Sequence, residues 1–348
     1  MIASAPDLLR LVVLPVFAWA AWRDINTRRL PNRLWPPLVG LGVVLLLWEA
    51  LQLAPFATLE GRLFVVQVGV SLLFIAPLGY AFWWLGGFGG ADAKALITLA
   101  ILLPTFPSYA LGSLHLPLVE TPIGVFSLTV LTNTVLFAAI VPILLGVGNL
   151  ARGQIEPKAM FFARPVRVDS IPDRHGKLFE TPAGISRSGL DLDALRMYLR
   201  WRGTTLSALR ADPAGHRDSS VDETHEPTDG GTHVGPRTDG GVDGSAETGV
   251  DGATEGRVDA PAETASSSTA AVNDPWAAEQ FFDDIEGTAY GSSPEGLRAA
   301  LELLAETDRE TLWVSPGLPF VVPMFVGLLV AFSYGDLLFG LFGWLGLF

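Results

Sequence analysis

The chain has 348 residues, 49% of them hydrophobic, with no cysteine and only five histidines. The lack of cysteine excludes disulfides, thiolate catalysis and cysteine-ligated zinc, and the scattered histidines do not predict a metal cluster, so we expect no metal or other cofactor. The formal net charge is −13, but Ala211–Asp274 holds 14 Asp and Glu against three Arg, a net −11. The acidity therefore belongs to one segment, and we predict no nucleic-acid partner.

Long apolar segments run through the first 150 residues and return near the C-terminus. A membrane-crossing helix needs roughly 20 apolar residues. The sequence predicts six such helices: Leu8–Trp22, Leu34–Leu53, Leu63–Leu85, Ala93–Leu111, Ile123–Gly148 and Leu318–Ser333. The first is short, and Pro104 and Pro107 interrupt the fourth. With a mean hydropathy of +0.39, the expected fold class is an all-α, polytopic membrane protein.

The first apolar segment has an alternative interpretation as a signal peptide. Ala18, Trp19 and Ala20 resemble a cleavage site. However, Asp7 cancels the charge of Arg10 in the region that would have to be positive, and the arginine-rich stretch follows the apolar run. We therefore expect a retained first helix.

Basic residues alternate between the predicted connections. They are Arg23, Arg28, Arg29 and Arg33 in the first connection, Lys94 in the third, and Arg152, Lys158, Arg164 and Arg167 after the fifth span. The second and fourth connections carry almost none. Because cytoplasmic loops are rich in Lys and Arg, we predict a multi-pass protein of the cell membrane with its N-terminus outside. Asp24 and Asp92 then both lie at the cytoplasmic face.

A large cytoplasmic insertion is predicted between the fifth and sixth spans. The domain prediction is a membrane domain over 1–148, an insertion over 149–313 and a final spanning helix in 314–348. Within the insertion, residues 212–273 are rich in Gly, Asp, Thr and Ala, a composition typical of disorder. The expected insertion is therefore partly disordered.

Two helices are predicted on either side of the disordered segment. Leu192–Leu209 has apolar residues at helical spacing, although Gly203 weakens the pattern, and Ser293 followed by Pro294 starts a second helix. Both are expected to be surface helices. The alternative for the first is a basic, aromatic helix at the lipid interface, which would use Arg196, Arg200, Arg202 and Trp201.

Asp24 and Asp92 lie at the ends of long apolar runs, where ionisable residues are candidates for function. Asp24 precedes a short, arginine-rich turn, and four glycines in 86–90 precede Asp92. Each has a simpler explanation. Asp92 could cap a helix N-terminus, Asp24 could be a solvated flank, and Lys94 beside Asp92 could be a positive-inside charge.

The two fragments RDINTRRLPNRLW and GGADAK together resemble the type IV prepilin peptidase family, especially its archaeal preflagellin and prepilin branch. The first motif of that family matches Asp24, Arg28, Arg29, Pro31 and Asn32, and its Gly-x-Gly-Asp signature matches Gly89, Gly90 and Asp92. Ala91 replaces the second glycine of the strict signature. Residues 313–339 are similar to the final helix of the family.

The resemblance implies a membrane aspartyl endopeptidase that removes the short basic leader of prepilin- or preflagellin-like precursors. It implies Asp24 and Asp92 as the catalytic pair, and Gly89, Gly90, Pro31 and Asn32 as residues that shape the site or bind substrate. Two neighbouring carboxylates would share one proton and activate water. Bacterial relatives also methylate the product and carry a cysteine-rich domain. Because this chain has no cysteine, we expect proteolysis without methyltransferase activity.

Three other interpretations stay open at this stage. A proton- or ion-coupled transporter would also use membrane carboxylates, and a scaffold would use the acidic insertion to recruit a partner. A presenilin- or signal-peptide-peptidase-like protease shares the Gly-x-Gly-Asp element. The remaining membrane carboxylates, Glu49 and Asp336, are expected to have structural roles.

Overall fold

A computed structural model describes residues 3–85, 87–186, 189–221, 223–228, 230–232, 274–285, 289–317 and 319–347. The chain divides into two compact units. The first comprises Met1–Phe162 and Gly317–Phe348, and the second is Ala163–Pro316. The described residues are mostly helical, as predicted, but they also include seven short β-strands, which the all-α prediction lacked.

The first unit begins with two short helices that together form one apolar segment. Helices α1 (Ala5–Arg10) and α2 (Val13–Thr27) make up a segment, Ala5–Thr27, that is long and apolar enough to cross a membrane. Arg28 ends α2 with a left-handed backbone, at φ 56°. Since α2 extends to Thr27, Asp24 lies in the last turn of a helix and not in the connection that follows it.

The connection after α2 is short. Pro31 is extended and precedes a 3-10 helix, Asn32–Leu34, which leads directly into α3 (Trp35–Leu53). The next apolar segment, Leu59–Trp84, consists of α4 (Leu59–Val70), a π-helical turn (Ser71–Ile75) and α5 (Ala76–Trp84).

The fourth predicted span is shorter than expected. Helix α6 covers Gly90–Leu102, because Pro104 cannot continue the helical hydrogen bonding. The following apolar residues form an antiparallel hairpin of β1 (Tyr109–Leu111) and β2 (Leu114–Leu116). The fifth predicted span is helix α7 (Phe126–Ala151).

The second unit contains the remaining five strands and five helices of the described residues. These are β3 (Arg164–Arg167), β4 (Lys177–Leu178), β5 (Glu180–Thr181), β6 (Gly184–Ile185), α8 (Leu192–Trp201), α9 (Leu206–Ala211), α10 (Pro213–His216), α11 (Ala278–Asp284), α12 (Pro294–Glu306) and β7 (Thr311–Ser315). The antiparallel sheet has the order β3-β7-β4, so the two ends of the unit pair with each other.

Helix α12 confirms one local prediction and α8 modifies another. Ser293 accepts a hydrogen bond from the backbone of Gly296, and Pro294 is the first residue of α12, as predicted. The predicted helix Leu192–Leu209 is broken into α8 and α9 at Gly203, whose φ is +64°. A left-handed backbone at that position favours glycine.

The lipid-interface interpretation of α8 does not fit the structure. Trp201 is 1% exposed and packs against Phe281 at 5.6 Å between ring centroids. Arg196 is 5% exposed and donates to three backbone carbonyls within the same unit. The aromatic and basic side chains of α8 therefore build the core of the second unit.

The start of the predicted disordered segment has defined contacts. Helix α10 lies within it, and the backbone N–H of Val221 donates to Gln280 Oε1 at 3.1 Å. The carbonyl of Gly230 accepts from Arg196. The rest of that prediction, residues 233–273, lies outside the described residues.

The chain returns to the first unit with α13 (Val321–Ser333) and α14 (Leu337–Trp344). Helix α13 packs on α7 and α2, while α6 packs on α3 and α5. Among the described residues, four helical segments are long and apolar enough to span a membrane: Ala5–Thr27, Asn32–Leu53, Leu59–Trp84 and Phe126–Ala151. With 13 residues each, α6 and α13 are shorter.

Candidate active site

Asp24 is held between two helices of the first unit. It lies in the last turn of α2 and is only 8% exposed. Its carboxylate interacts with the backbone N–H of Val321, the first residue of α13. An N–H in the first turn of a helix has no partner within the helix, so it is a natural donor to a carboxylate.

Asp92 is placed by the first turn of α6. It is the third helical residue, and its Oδ2 accepts from the backbone N–H of Gly89, the N-cap, at 3.1 Å. Asp92 thus helps to cap α6, as one interpretation of the sequence predicted. It does so from the third helical position, and the N-cap residue itself is Gly89. A Cβ on Gly89 would lie 3.1 Å from Asp92 Oδ2, so glycine leaves room for the carboxylate.

The fold brings the two carboxylates together. The Asp24 carboxylate interacts electrostatically with Asp92, and the Arg28 guanidinium acts on both carboxylates. The groups come from the C-terminal turn of α2, the N-terminal turn of α6 and the residue that ends α2. Two acidic side chains and one basic side chain therefore form a single charged cluster.

Arg28 also connects this cluster to the segment before α13. Its Nη1 donates to the carbonyl oxygen of Gly317 at 2.7 Å. The left-handed backbone of Arg28 is uncommon for a residue with a side chain, and it turns the chain sharply after α2. The sequence analysis identified Arg28 as a basic residue of a predicted cytoplasmic connection and as a match to the first motif of the family. Nothing in the sequence indicated Gly317 as its partner.

The other predicted site residues lie at the starts of short helices. Asn32 begins the 3-10 helix after Pro31, and its Oδ1 accepts a hydrogen bond from Lys94 Nζ at 2.7 Å. Gly90 is the first residue of α6. Gly89 and Asn32 thus make hydrogen bonds with side chains of α6. Pro31 and Gly90 lie at the starts of the two helices.

An aromatic cluster that the sequence analysis missed lies next to the glycine-rich motif. Phe88, just before Gly89, packs on Phe82 at 4.9 Å and on Phe320 at 4.6 Å between ring centroids. Phe320 directly precedes Val321. The cluster therefore links the glycine-rich segment to the start of α13, and the sequence carries no local signal for this long-range contact.

The remaining membrane carboxylates are bound elsewhere. Glu49 Oε2 pairs with Arg10 Nη2 at 2.7 Å, and Arg10 also pairs with Asp7. Asp336 is 2% exposed, caps α14 and accepts from Thr129 Oγ1 at 2.9 Å. These contacts are structural and separate from Asp24 and Asp92.

The cluster defines a class of site. Among the described residues, no group of three or more His, Asp or Glu side chains could hold a metal ion. A pair of neighbouring carboxylates can divide the roles of general base and general acid between them. The first unit therefore has apolar helices long enough to cross a membrane and two neighbouring carboxylates at the ends of two helices.

Comparison with known families agrees with this class. The family model described as "Type IV leader peptidase family" matches residues 11–146, which include both aspartates. A second model, "Archaeal Peptidase A24 C-terminus Type II", matches residues 271–337, which include Gly317 and Val321. Over these two stretches the chain is similar to the type IV leader peptidase family and to its archaeal members.

Curated relatives carry consistent names. The chain is 29% identical to a preflagellin peptidase of Methanococcus voltae, over 46% of this chain and 63% of the relative. It is 28% identical to the preflagellin peptidase of Methanococcus maripaludis, over 43% and 64%. A prepilin peptidase of Methanothermobacter thermautotrophicus is 31% identical, over 42% and 36%. The chain thus spans less than two thirds of the length of each of these relatives.

Proposed function

We propose that this protein is a membrane aspartyl endopeptidase that removes the short basic leader from prepilin- or preflagellin-like precursors. The observation that carries the proposal is that Asp24 and Asp92, which come from different helices, lie near enough for their charges to interact. Both lie in the part of the chain that matches the leader peptidase family. A purely structural role would not require two carboxylates to be brought together.

The proposed reaction uses the pair in one protonation state, with one proton shared between the two carboxyl groups. The ionised carboxylate takes a proton from water, whose oxygen attacks the scissile carbonyl carbon. The protonated carboxyl donates its hydrogen bond to the developing oxyanion. The C–N bond then breaks, and the leaving amine takes up a proton. Because coupled acids titrate as a pair, the two roles belong to the pair and not to one named residue.

The neighbouring residues have supporting roles in this proposal. Arg28 keeps a positive charge beside the pair and attaches the segment before α13 to it. Gly89 and Gly90 give an extended substrate backbone room to approach Asp92. Pro31 and Asn32 fix the path of the chain after Asp24.

The proposed substrate class follows from the names of the relatives and from the chemistry of the membrane surface. A precursor with a basic leader and an apolar helix keeps the helix in the bilayer and the leader in the cytoplasm. The bond between them then lies at the cytoplasmic face, where we place Asp24 and Asp92. The partners of the protein are accordingly these precursors and the lipid bilayer.

We place six spans in the membrane, with the N-terminus outside and the insertion of 149–313 in the cytoplasm. The membrane domain is then 1–148 together with the final spanning helix in 314–348. Helices α6 and α13 are the fourth and sixth spans. At 13 residues, each is about 20 Å long, against a bilayer core of about 30 Å. Their ends at the site would therefore lie below the level of the membrane surface.

The product of the reaction tests the proposal. Purified protein in liposomes is incubated with a preflagellin precursor, and the product is analysed by mass spectrometry. We expect one cut between the basic leader and the apolar helix, and a new N-terminus without an added methyl group, even when a methyl donor is present. An unchanged precursor would contradict the peptidase proposal, and a methylated product would contradict its restriction to proteolysis.

The transporter alternative gains no support. The family models and the relatives described above are peptidases. The two aspartates lie at helix ends, whereas transporter sites lie near the middle of the membrane. No observation on this chain favours transport over proteolysis.

A further inference from the structure

Lys94 makes a hydrogen bond that connects the two sequence motifs. Its Nζ donates to Asn32 Oδ1 at 2.7 Å, and the two residues are 62 positions apart. Asn32 belongs to the connection that follows Asp24, and Lys94 follows Asp92 by two residues in α6. From the sequence, Lys94 was only a positive charge on the cytoplasmic side.

The geometry of a helix separates Lys94 from Asp92. Side chains two positions apart on an α-helix point to different faces. Consistently, the charged groups that act on Asp92 are Asp24 and Arg28. Lys94 therefore does not serve as the counter-ion of the aspartate pair but contacts the neighbouring connection from another side of α6.

The connection after Asp24 is held near both of its ends. At the first end, Arg28 donates to the carbonyl of Gly317. At the second end, Asn32 accepts from Lys94, just before α3, which packs along α6. The backbone between these two points leads from the end of α2 to the start of the 3-10 helix. Its position decides where the last turn of α2, with Asp24, lies relative to α6.

We infer that Lys94 and Asn32 are positioning residues, which set the separation of Asp24 and Asp92 without contacting the substrate. The inference rests on the proposed peptidase function. The hydrogen bond is exposed, so it competes with water and contributes little to global stability. Catalysis is more demanding, because a displacement of about 1 Å in a reacting group can cost about 100-fold in rate.

Steady-state cleavage of a preflagellin precursor in liposomes tests this role. Lys94→Met is expected to lower kcat about two- to fivefold, the limit that so weak a hydrogen bond sets, with little change in KM because substrate binding is untouched. Lys94→Arg keeps a donor for Asn32 and should recover most of kcat. Lys158→Met is the matched control, since Lys158 is an exposed lysine in another predicted cytoplasmic segment. It removes the same charge and should leave both constants unchanged.

A second variant replaces the hydrogen bond by a covalent link. The chain has no cysteine, so Asn32→Cys with Lys94→Cys provides the only two thiols. The double variant should have low kcat, regain it when a short bis-methanethiosulfonate reagent joins the thiols, and lose it again on reduction. Loss of folding alone would not be repaired in this way.

Several outcomes would overturn the inference. The first is a wild-type kcat in Lys94→Met, and the second is an effect of Lys94→Met on KM alone. The third is a loss of kcat in Lys158→Met equal to that in Lys94→Met. The fourth is a kcat of the double-cysteine variant that does not recover after cross-linking. An Asp24→Asn variant measured in parallel distinguishes a failure of the proposed function from a failure of the positioning role. If Asp24→Asn still cleaves, the proposed function itself fails. If Asp24→Asn is inactive and Lys94→Met is fully active, only the positioning role fails.

Discussion

The Arg28 guanidinium donates a hydrogen bond of 2.7 Å to the carbonyl oxygen of Gly317, which lies 289 residues further along the chain. The same guanidinium acts electrostatically on Asp24 and Asp92. The start of α13 contributes as well, because the N–H of Val321 interacts with the Asp24 carboxylate. The site therefore needs both ends of the sequence, and the second unit is inserted between them in the chain.

Replacing Arg28 should separate its role from that of a general positive charge. Arg28→Met removes the bond to Gly317 and the charge beside the carboxylates, and we expect kcat for precursor cleavage to fall about 10- to 100-fold. Arg28→Lys should recover only part of it, because lysine keeps the charge but lacks the planar donor group. The exposed Arg33 lies in the same connection, and Arg33→Met should retain activity. Equal losses in Arg28→Met and Arg33→Met would show that only the charge of the connection matters.

The packing of α3 on α6 offers a matched pair of glycines. A Cβ on Gly42 would lie 3.0 Å from Leu102 Cα, whereas a Cβ on Gly40 would meet nothing within 4 Å. Gly42→Ala should therefore push α6 away and destabilise the protein by about 1–3 kcal/mol, with reduced cleavage because α6 carries Asp92. Gly40→Ala should be neutral or slightly stabilising. Thermal unfolding in detergent measures both, and an equal effect of the two would contradict the close packing.

The ion pairs of Arg10 predict an order of stabilities. Arg10 is 1% exposed and pairs with both Asp7 and Glu49. Arg10→Met leaves two carboxylates uncompensated and should cost about 3–5 kcal/mol. Glu49→Met should cost less, because Asp7 still pairs with Arg10. The exposed Arg62 provides the control Arg62→Met, which should leave the melting temperature unchanged. A smaller loss for Arg10→Met than for Glu49→Met would argue against this arrangement.

The second unit should become less stable as the pH rises from about 4 to 6. Asp191 caps α8, and burial raises its pKa from 3.8 to about 6. Its amide hydrogen bond from Asp193 and the charges of Lys177 and Arg196 oppose that rise in pKa. Because the folded state holds this proton more tightly than the unfolded state, the contribution of Asp191 to stability is greatest below pH 4, and up to about 3 kcal/mol of that contribution is lost through pH 6.

Hydrogen exchange of the α8 amides in the full chain measures this change. After correction for intrinsic exchange rates, protection should fall between pH 4 and 6 in the wild type and stay level in Asp191→Asn, since Asn caps a helix about as well as Asp. Asp212→Asn, at the exposed cap of α10, should behave like the wild type. A parallel fall in Asp191→Asn would assign the pH dependence to other groups.

Local signals in the sequence predicted local structure well. Ser293 and Pro294 marked the start of α12, since capping depends on neighbouring residues alone. Gly203 weakened the predicted helix Leu192–Leu209, but the prediction still ran through it, whereas the structure breaks there into α8 and α9. By contrast, the hydropathy of 93–111 predicted one span, whereas α6 ends at Leu102 and a hairpin follows. An apolar segment inside a protein can be helix or strand, and hydropathy does not distinguish them.

Long-range contacts explain what the sequence did not reveal about the site. The sequence singled out Asp24 and Asp92 as one candidate pair, but it could not identify Val321 and Gly317 as their neighbours, because those contacts form only when α13 packs against α2. Trp201 shows the same limit in the second unit. Beside arginines it was compatible with a lipid interface, and only packing on Phe281 shows that it is buried.

Cleavage by single asparagine variants tests the central claim most directly. Asp24→Asn and Asp92→Asn keep the size and hydrogen-bonding capacity of the side chains but remove the acid–base function. Each is compared with the wild type for trimming of a preflagellin precursor in membranes, at equal protein level and equal melting temperature. We predict that the wild type trims the leader and that each single variant loses at least about 100-fold in rate. If both variants still trim at the wild-type rate, the two aspartates are structural, and the proposed peptidase mechanism is wrong.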